Sequence, residues 1–118
     1  MTTSLFGISF DARNAAELAY FWAQALHRTV NDGATEQSAS VAPTDDPAAG
    51  PLLMFHQVPE GKTIKNRVHL DLVAADAQVE ADRLIALGAK QVRSLDENNG
   101  GWIGLADPEG NEFDLVAG

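Results

Sequence analysis

Apolar and polar positions along this chain recur with two different periods, and the change from one to the other happens twice. At the start Phe6, Ile8 and Phe10 fall on one face of an extended segment and Leu5, Gly7 and Ser9 on the other. That alternation predicts a strand over residues 5–10. From Asn14, a natural N-cap, the period lengthens, and Leu18, Phe21, Trp22, Ala25 and Leu26 form one helical stripe. The stripe predicts a helix packed on the sheet, with Trp22 in the core. His27 and Arg28 are expected in its last turn, where positive charge complements the helix dipole. Thr29 and Val30, then residues 38–41, read as short strands around a turn near Asp32 and Gly33. Pro, Gly and Asp mark 43–51 as a loop, and 52–58 reads as a strand.

A connector over 59–66 follows, and the same order then repeats. In 67–72, Val68, Leu70 and Leu72 point to a core while Arg67, His69 and Asp71 share the other side. A helix over 76–87 places Ala77, Ala81, Leu84 and Ile85 inward and ends at Gly88. Strands over 90–95, 102–106 and 112–116 complete the half. Asn98-Asn99-Gly100-Gly101 makes the first of their turns, and 107–111, with Pro108 and Gly110, the second. Each half thus reads as strand, helix and three strands, and Ile8-Ser9-Phe10-Asp11 matches Val68-His69-Leu70-Asp71 as an internal repeat. The expected fold is α+β: tandem βαβββ modules whose curled sheets surround a cavity. Module 1 spans about 1–58, the connector 59–66 and module 2 about 67–118, and a length of 118 residues suits a single domain.

Charge narrows the partners. With 8 Lys+Arg against 17 Asp+Glu the formal net charge is -9, which repels phosphate backbones and argues against nucleic acid. The absence of cysteine excludes a disulfide framework, a thiol nucleophile and any Cys-based zinc site. No apolar run approaches the ~18 residues of a membrane span, so a soluble, cytoplasmic protein is expected.

Candidate chemistry gathers on the polar sides of the strands. His69 reads either as a structural histidine held by a neighbouring carboxylate or as a ligand contact. Asp11 and Asp71, at matched positions, are expected to accept backbone N–H groups near the helix starts. Asp114 shares a face with Glu112 and Val116. If that face lines the cavity, two neighbouring carboxylates would raise at least one pKa toward the range of a general base. Trp102, after the Gly-Gly turn, could form an aromatic wall of a pocket or simply pack on the sheet.

Four segments taken together resemble the vicinal oxygen chelate superfamily, which includes glyoxalase I, extradiol dioxygenases, fosfomycin-resistance enzymes and bleomycin-binding proteins. They are Phe21-Trp22 with Leu26, Asn66 through Leu72, Leu84 through Ala89, and Asp107 through Val116. The resemblance is to the glyoxalase-like subgroup and covers nearly the whole chain. Its metal-dependent members carry one ligand on the first strand and one on the last strand of each half. Counted from the helix ends, His69 stands nineteen residues before Gly88, and the same spacing back from Leu26 gives Gly7, which offers no ligand atom. Ser9, matched by the repeat itself, is a weak donor to a transition metal. The family's last-strand Glu falls on Asp114, and the fourth position lies within Phe55-His56-Gln57.

The resemblance therefore implies a glyoxalase-like protein that binds a small organic ligand, with too few metal ligands for the complete glyoxalase I centre. His69 and Asp114 would carry any catalysis, with Trp102, Gln57 and Glu112 contacting the ligand. One alternative is a metal-dependent lyase or dioxygenase holding a divalent ion with His69, Asp114 and His56. Another is a binding-only protein that sequesters a drug or toxin, for which an acidic surface suits a cationic ligand. A homodimer is expected from the resemblance.

Overall fold

The computed structural model describes residues 2–43, 50–96 and 102–118, so the turn expected at 98–101 and residues 44–49 of the expected loop lie outside them. In chain order the elements are β1 (Gly7–Ala12), α1 (Ala15–Ala25), β2 (Ser38–Val41), β3 (Leu52–Gln57), β4 (Asp71–Ala74), α2 (Ala77–Leu87), β5 (Lys90–Asp96), β6 (Trp102–Ala106) and β7 (Glu112–Ala117). They form an α+β arrangement of two small curled sheets with one helix each. Two compact units divide the chain, Met1–Gly61 and Lys62–Gly118.

In the first unit the strand order is β1-β3-β2, with β1 parallel and β2 antiparallel to β3. Asn14 caps α1 by accepting the Glu17 N–H at 3.1 Å. The apolar stripe does what its spacing predicts: Leu18, Phe21, Trp22 and Ala25 are buried, while Leu26 becomes the C-cap. The Phe10 ring stacks on Phe55 at 4.9 Å and meets Trp22 at 5.5 Å, locking strand to helix.

Three expectations for this half change. The first strand begins two residues late, leaving Leu5 and Phe6 about three-quarters exposed (73% and 75%). The β1–β3 ladder starts at the Gly7↔Leu52 pair because the preceding Pro51 has no N–H to extend it, and its carbonyl accepts from Arg28 Nη1 at 2.7 Å. Thr29 and Val30 do not form a strand: Val30 makes a single bridge to Val41. His27 lies beyond the helix in a left-handed conformation, φ 55°, so it is no part of the last turn.

The second unit has the order β4-β7-β6-β5, with β4 parallel to β7 and the rest antiparallel. Asp76 caps α2, accepting Val79 N–H at 3.1 Å, and Gly88 ends it at a positive φ of 127°. Ala77, Ala81 and Leu84 press onto Ile103, Leu105, Phe113 and Leu115, all buried. Ile85, expected inward, is 38% exposed, since the inner stripe follows 77, 81 and 84 and leaves position 85 on its rim.

The strand expected over 67–72 is displaced to Asp71–Ala74, and Val68 is 81% exposed. Upstream of Leu70, whose carbonyl accepts Asp114 N–H at 3.0 Å, side chains replace the ladder. Glu112 accepts the backbone N–H of Asn66 at 3.1 Å, and Asn66 Nδ2 donates to Asn111 Oδ1 at 3.1 Å. This bonding ties Asn66 of the connector to the start of β7. Among the described residues no helix is long and apolar enough to cross a membrane.

Candidate functional site

Each sheet has a face covered by its helix and a face the helix leaves uncovered. In the second unit, Ile103, Leu105, Phe113 and Leu115 turn to α2, so their alternates Trp102, Gly104, Glu112, Asp114 and Val116 take the other face. Register carries the face across the sheet, with Asp71 beside Asp114 on one side and Gly104 on the other, and Arg93 beside Gly104.

A charged network occupies this surface. His69 Nδ1 lies 3.1 Å from Asp71 Oδ1 and 3.4 Å from Asp114 Oδ2. Arg93 Nη2 donates to Asp114 Oδ1 at 2.9 Å. Nδ1 donating to Asp71 leaves the lone pair of an uncharged imidazole on Nε2, where it can accept a proton from a bound molecule. The sequence places His69 and Asp114 correctly on one face. Asp71, expected near a helix start, joins them instead; the helix caps are Asn14 and Asp76, and neither Asp11 nor Asp71 serves as one.

Arg93 escapes sequence reading because β5 is irregular. Between Gln91 and Arg93 the pairing with β6 shifts, so Val92 is an extra residue and Arg93 is aimed over the sheet. Gly104 supplies the room: a Cβ built there would stand 3.0 Å from Arg93 Cβ and 3.6 Å from its Cζ. Trp102, half-buried, pairs with Val116 on the same face, two residues from the Gly104–Asp114 pair.

Glu112 has another occupation than the one expected. Besides Asn66 N–H it takes Lys62 Nζ at 3.0 Å. Desolvation by partial burial pushes its pKa upward, but the Asn66 N–H and the Lys62 ammonium outweigh it and hold the carboxyl down to about 2. A raised, base-like pKa for this carboxylate is therefore corrected: its neighbours are donors and a cation, not Asp114.

The first unit shows what became of the equivalent positions. The caps Asn14 and Asp76 stand at the same distance beyond β1 and β4, and Val58 N donates to Ala12 O (2.8 Å) as Gly118 N does to Ala74 O (2.9 Å). This makes Gly7 the counterpart of His69 and Ser9 that of Asp71. Since Ser9 pairs with Met54 as Asp71 pairs with Asp114, Met54 is the counterpart of Asp114. Of the two counterparts read from sequence, Gly7 from the helix-end spacing agrees, and Ser9 from the motif match is two residues out of step, on the correct face only because strands alternate with period two. A Cβ on Gly7 would meet Met54 Cε at 2.8 Å and Leu52 O at 2.9 Å, so the methionine fills the place a side chain at 7 would need.

His56 and Gln57 separate. His56, exposed, pairs with Asp11 and Ser38 on the uncovered face and lines a pocket of about 260 Å³ with Asp32, Ser40 and Met54. Gln57 points the other way, donating from Nε2 to Arg13 O at 3.0 Å beside a separate pocket of about 360 Å³ bounded by Val58 and Pro59. The donors brought together within one unit are thus His69, Asp71 and Asp114, whose ligand atoms all lie within 4.8 Å of one another.

Known proteins share this architecture. A glyoxalase/bleomycin resistance protein/dioxygenase family enzyme from Burkholderia phytofirmans superposes with a TM-score of 0.72 at 16% identity, covering 92% of this chain and 94% of that one. The fosfomycin resistance protein FosX from Listeria monocytogenes, solved with Mn(II) and a dihydroxypropylphosphonic acid, gives 0.74 at 16% identity over 100% and 92%. The bleomycin-binding protein from Streptomyces verticillus gives 0.62 at 15% identity over 100% and 99%. No curated protein matches the chain. At these identities the structures establish the fold, that of the vicinal oxygen chelate superfamily, and the profile of one family within it matches residues 7–116: the chain belongs to the Glyoxalase-like domain family.

Proposed function

We propose that this protein binds a small organic molecule on the uncovered face of its second sheet, without the four-ligand metal centre of glyoxalase I. The observation that carries this reading is the pairing of Gly7 and Met54 with His69 and Asp114 across the repeat. Glycine has no donor, and a thioether is a soft, weak ligand for the ions an imidazole and a carboxylate prefer. What remains in the second unit is a set suited to hydrogen bonding and proton transfer. His69, hydrogen-bonded to Asp71 with Asp114 close by, offers Nε2, and Trp102 gives a half-buried aromatic surface on the same face of the sheet. Any catalysis rests with His69 and Asp114. Gln57, bonded to the Arg13 carbonyl, and Glu112, bonded to the connector, would contact the ligand only by giving up those partners.

The test is metal analysis of protein purified without chelator, together with a melting-temperature screen of small organic compounds. The reading expects no stoichiometric metal and a stabilising compound whose shift is lost in His69→Ala. Stoichiometric Zn, Ni, Mn or Fe in the wild type would overturn it. A second reading, a metal-dependent lyase or dioxygenase, is favoured by the closeness of His69, Asp71 and Asp114 and would be supported by that outcome. His56, in the other unit, would join such a set only if His56→Ala also lost the metal.

Sequestration of a cationic drug is the binding-only form of the first reading. It draws on the net charge of -9 and on the likeness to the bleomycin-binding fold. Tight binding of bleomycin without turnover is the outcome it requires. A homodimer in the cytoplasm completes the proposal, and light scattering of the purified protein checks the dimer.

A further inference from the structure

We propose that Arg93 takes the place of a divalent cation as the counter-ion of Asp114, and that by doing so it keeps a three-donor metal site closed. The donors themselves are close to the arrangement an ion needs. A tetrahedral site with bonds of about 2.1 Å has ligand atoms roughly 3.4 Å apart. His69 Nδ1 stands 3.1 Å from Asp71 Oδ1 and 3.4 Å from Asp114 Oδ2. One imidazole with two carboxylates is a donor set that Zn²⁺ and Mn²⁺ accept.

What stands against the ion is Arg93. Its Nη2 donates to Asp114 Oδ1 at 2.9 Å while His69 Nδ1 stands 3.4 Å from Oδ2, so one oxygen of that carboxylate already has a cationic partner and the other faces the imidazole. A divalent ion on Asp114 would lie beside a guanidinium that keeps its charge at every working pH, and the two would repel. Its placement depends on two backbone features: the extra residue Val92, which re-aims the strand, and Gly104, whose missing side chain leaves room for the Arg93 stem. Binding of an ion would also require the proton on Nδ1 to leave, and on Asp114 the ion and Arg93 are alternative counter-ions.

This inference shares its site with the metal-free reading above, but its test reads ion affinity in variants and needs no organic ligand. Chelator-treated wild type, Arg93→Met and Arg93→Gln are titrated calorimetrically with Zn²⁺ and with Mn²⁺, with melting curves confirming that each is folded. Both neutral variants should bind one ion per chain at least tenfold more tightly than the wild type. Arg93→Lys should stay with the wild type, and adding His69→Ala to Arg93→Met should remove the gain. No gain in either neutral variant would overturn the inference and leave the metal-free reading standing, as would a gain that survives His69→Ala. Tight one-to-one binding by the wild type itself would overturn both.

Discussion

Asp107 is the buried charge of the β6–β7 turn, 2% exposed, and it is satisfied locally. Its Oδ1 accepts Glu109 N–H and Asn111 N–H, each at 3.0 Å, and Asn111 Nδ2 donates to both its oxygens. Asp107→Ala would leave these donors without their acceptor, so a loss of about 2–4 kcal/mol is expected, read as a lower urea midpoint at unchanged slope. His27 gives the opposite sign. Its φ of 55° is strained for a side chain with a Cβ, and His27→Gly should raise stability by about 0.5–1 kcal/mol in the same assay. The turn at 107–111 was legible because Asp, Pro and Gly each have a conformational reason to be there. His27 was misread because a helix-dipole argument presumes a helical backbone, and nothing in the residue's chemistry announces the left-handed step that ends α1.

The repeat shows how far strand patterning reaches and where it stops. Hydrophobic alternation identifies which residues of one strand share a face; it took the family resemblance to bring His69 and Asp114 of different strands together from sequence. Alternation cannot detect a slip of two, which preserves every face: the motif match points to Ser9 while the spacing from the helix ends points to Gly7, and the helix caps and strand register decide for Gly7. Nor can it see a bulge, which is why Arg93 was missed. Close packing at the counterpart makes its own prediction. Gly7→Ser puts a side chain against Met54 Cε and against the Leu52 carbonyl, 2.8 and 2.9 Å from the new Cβ, and should cost about 1–3 kcal/mol. Met54→Ala in the same chain should recover only part of the Gly7→Ser penalty in a double-mutant cycle, because the carbonyl is backbone and cannot yield.

At the scale of the molecule, the boundary between the two compact units falls at Gly61–Lys62, inside the connector. The residues on the second side of it are held by a carboxylate that sequence reasoning assigned to a ligand pocket. Glu112 anchors Lys62 and Asn66 with its pKa held at about 2, below the ~4.3 of an unfolded chain. The depressed value means the folded state binds the proton less readily than the unfolded one. The stability it contributes is therefore present above about pH 4.3 and is lost as pH falls toward 2. With about a quarter of the side chain exposed (26%), solvent screening reduces the contribution to about 1–2 kcal/mol. Glu112→Gln keeps the shape and removes the charge, so it should lower the urea midpoint at neutral pH and show a flatter loss of stability between pH 4.5 and 2 than the wild type. Equal slopes in the two proteins over that window would mean that the clamp on 62–66 does not depend on the ionised carboxylate.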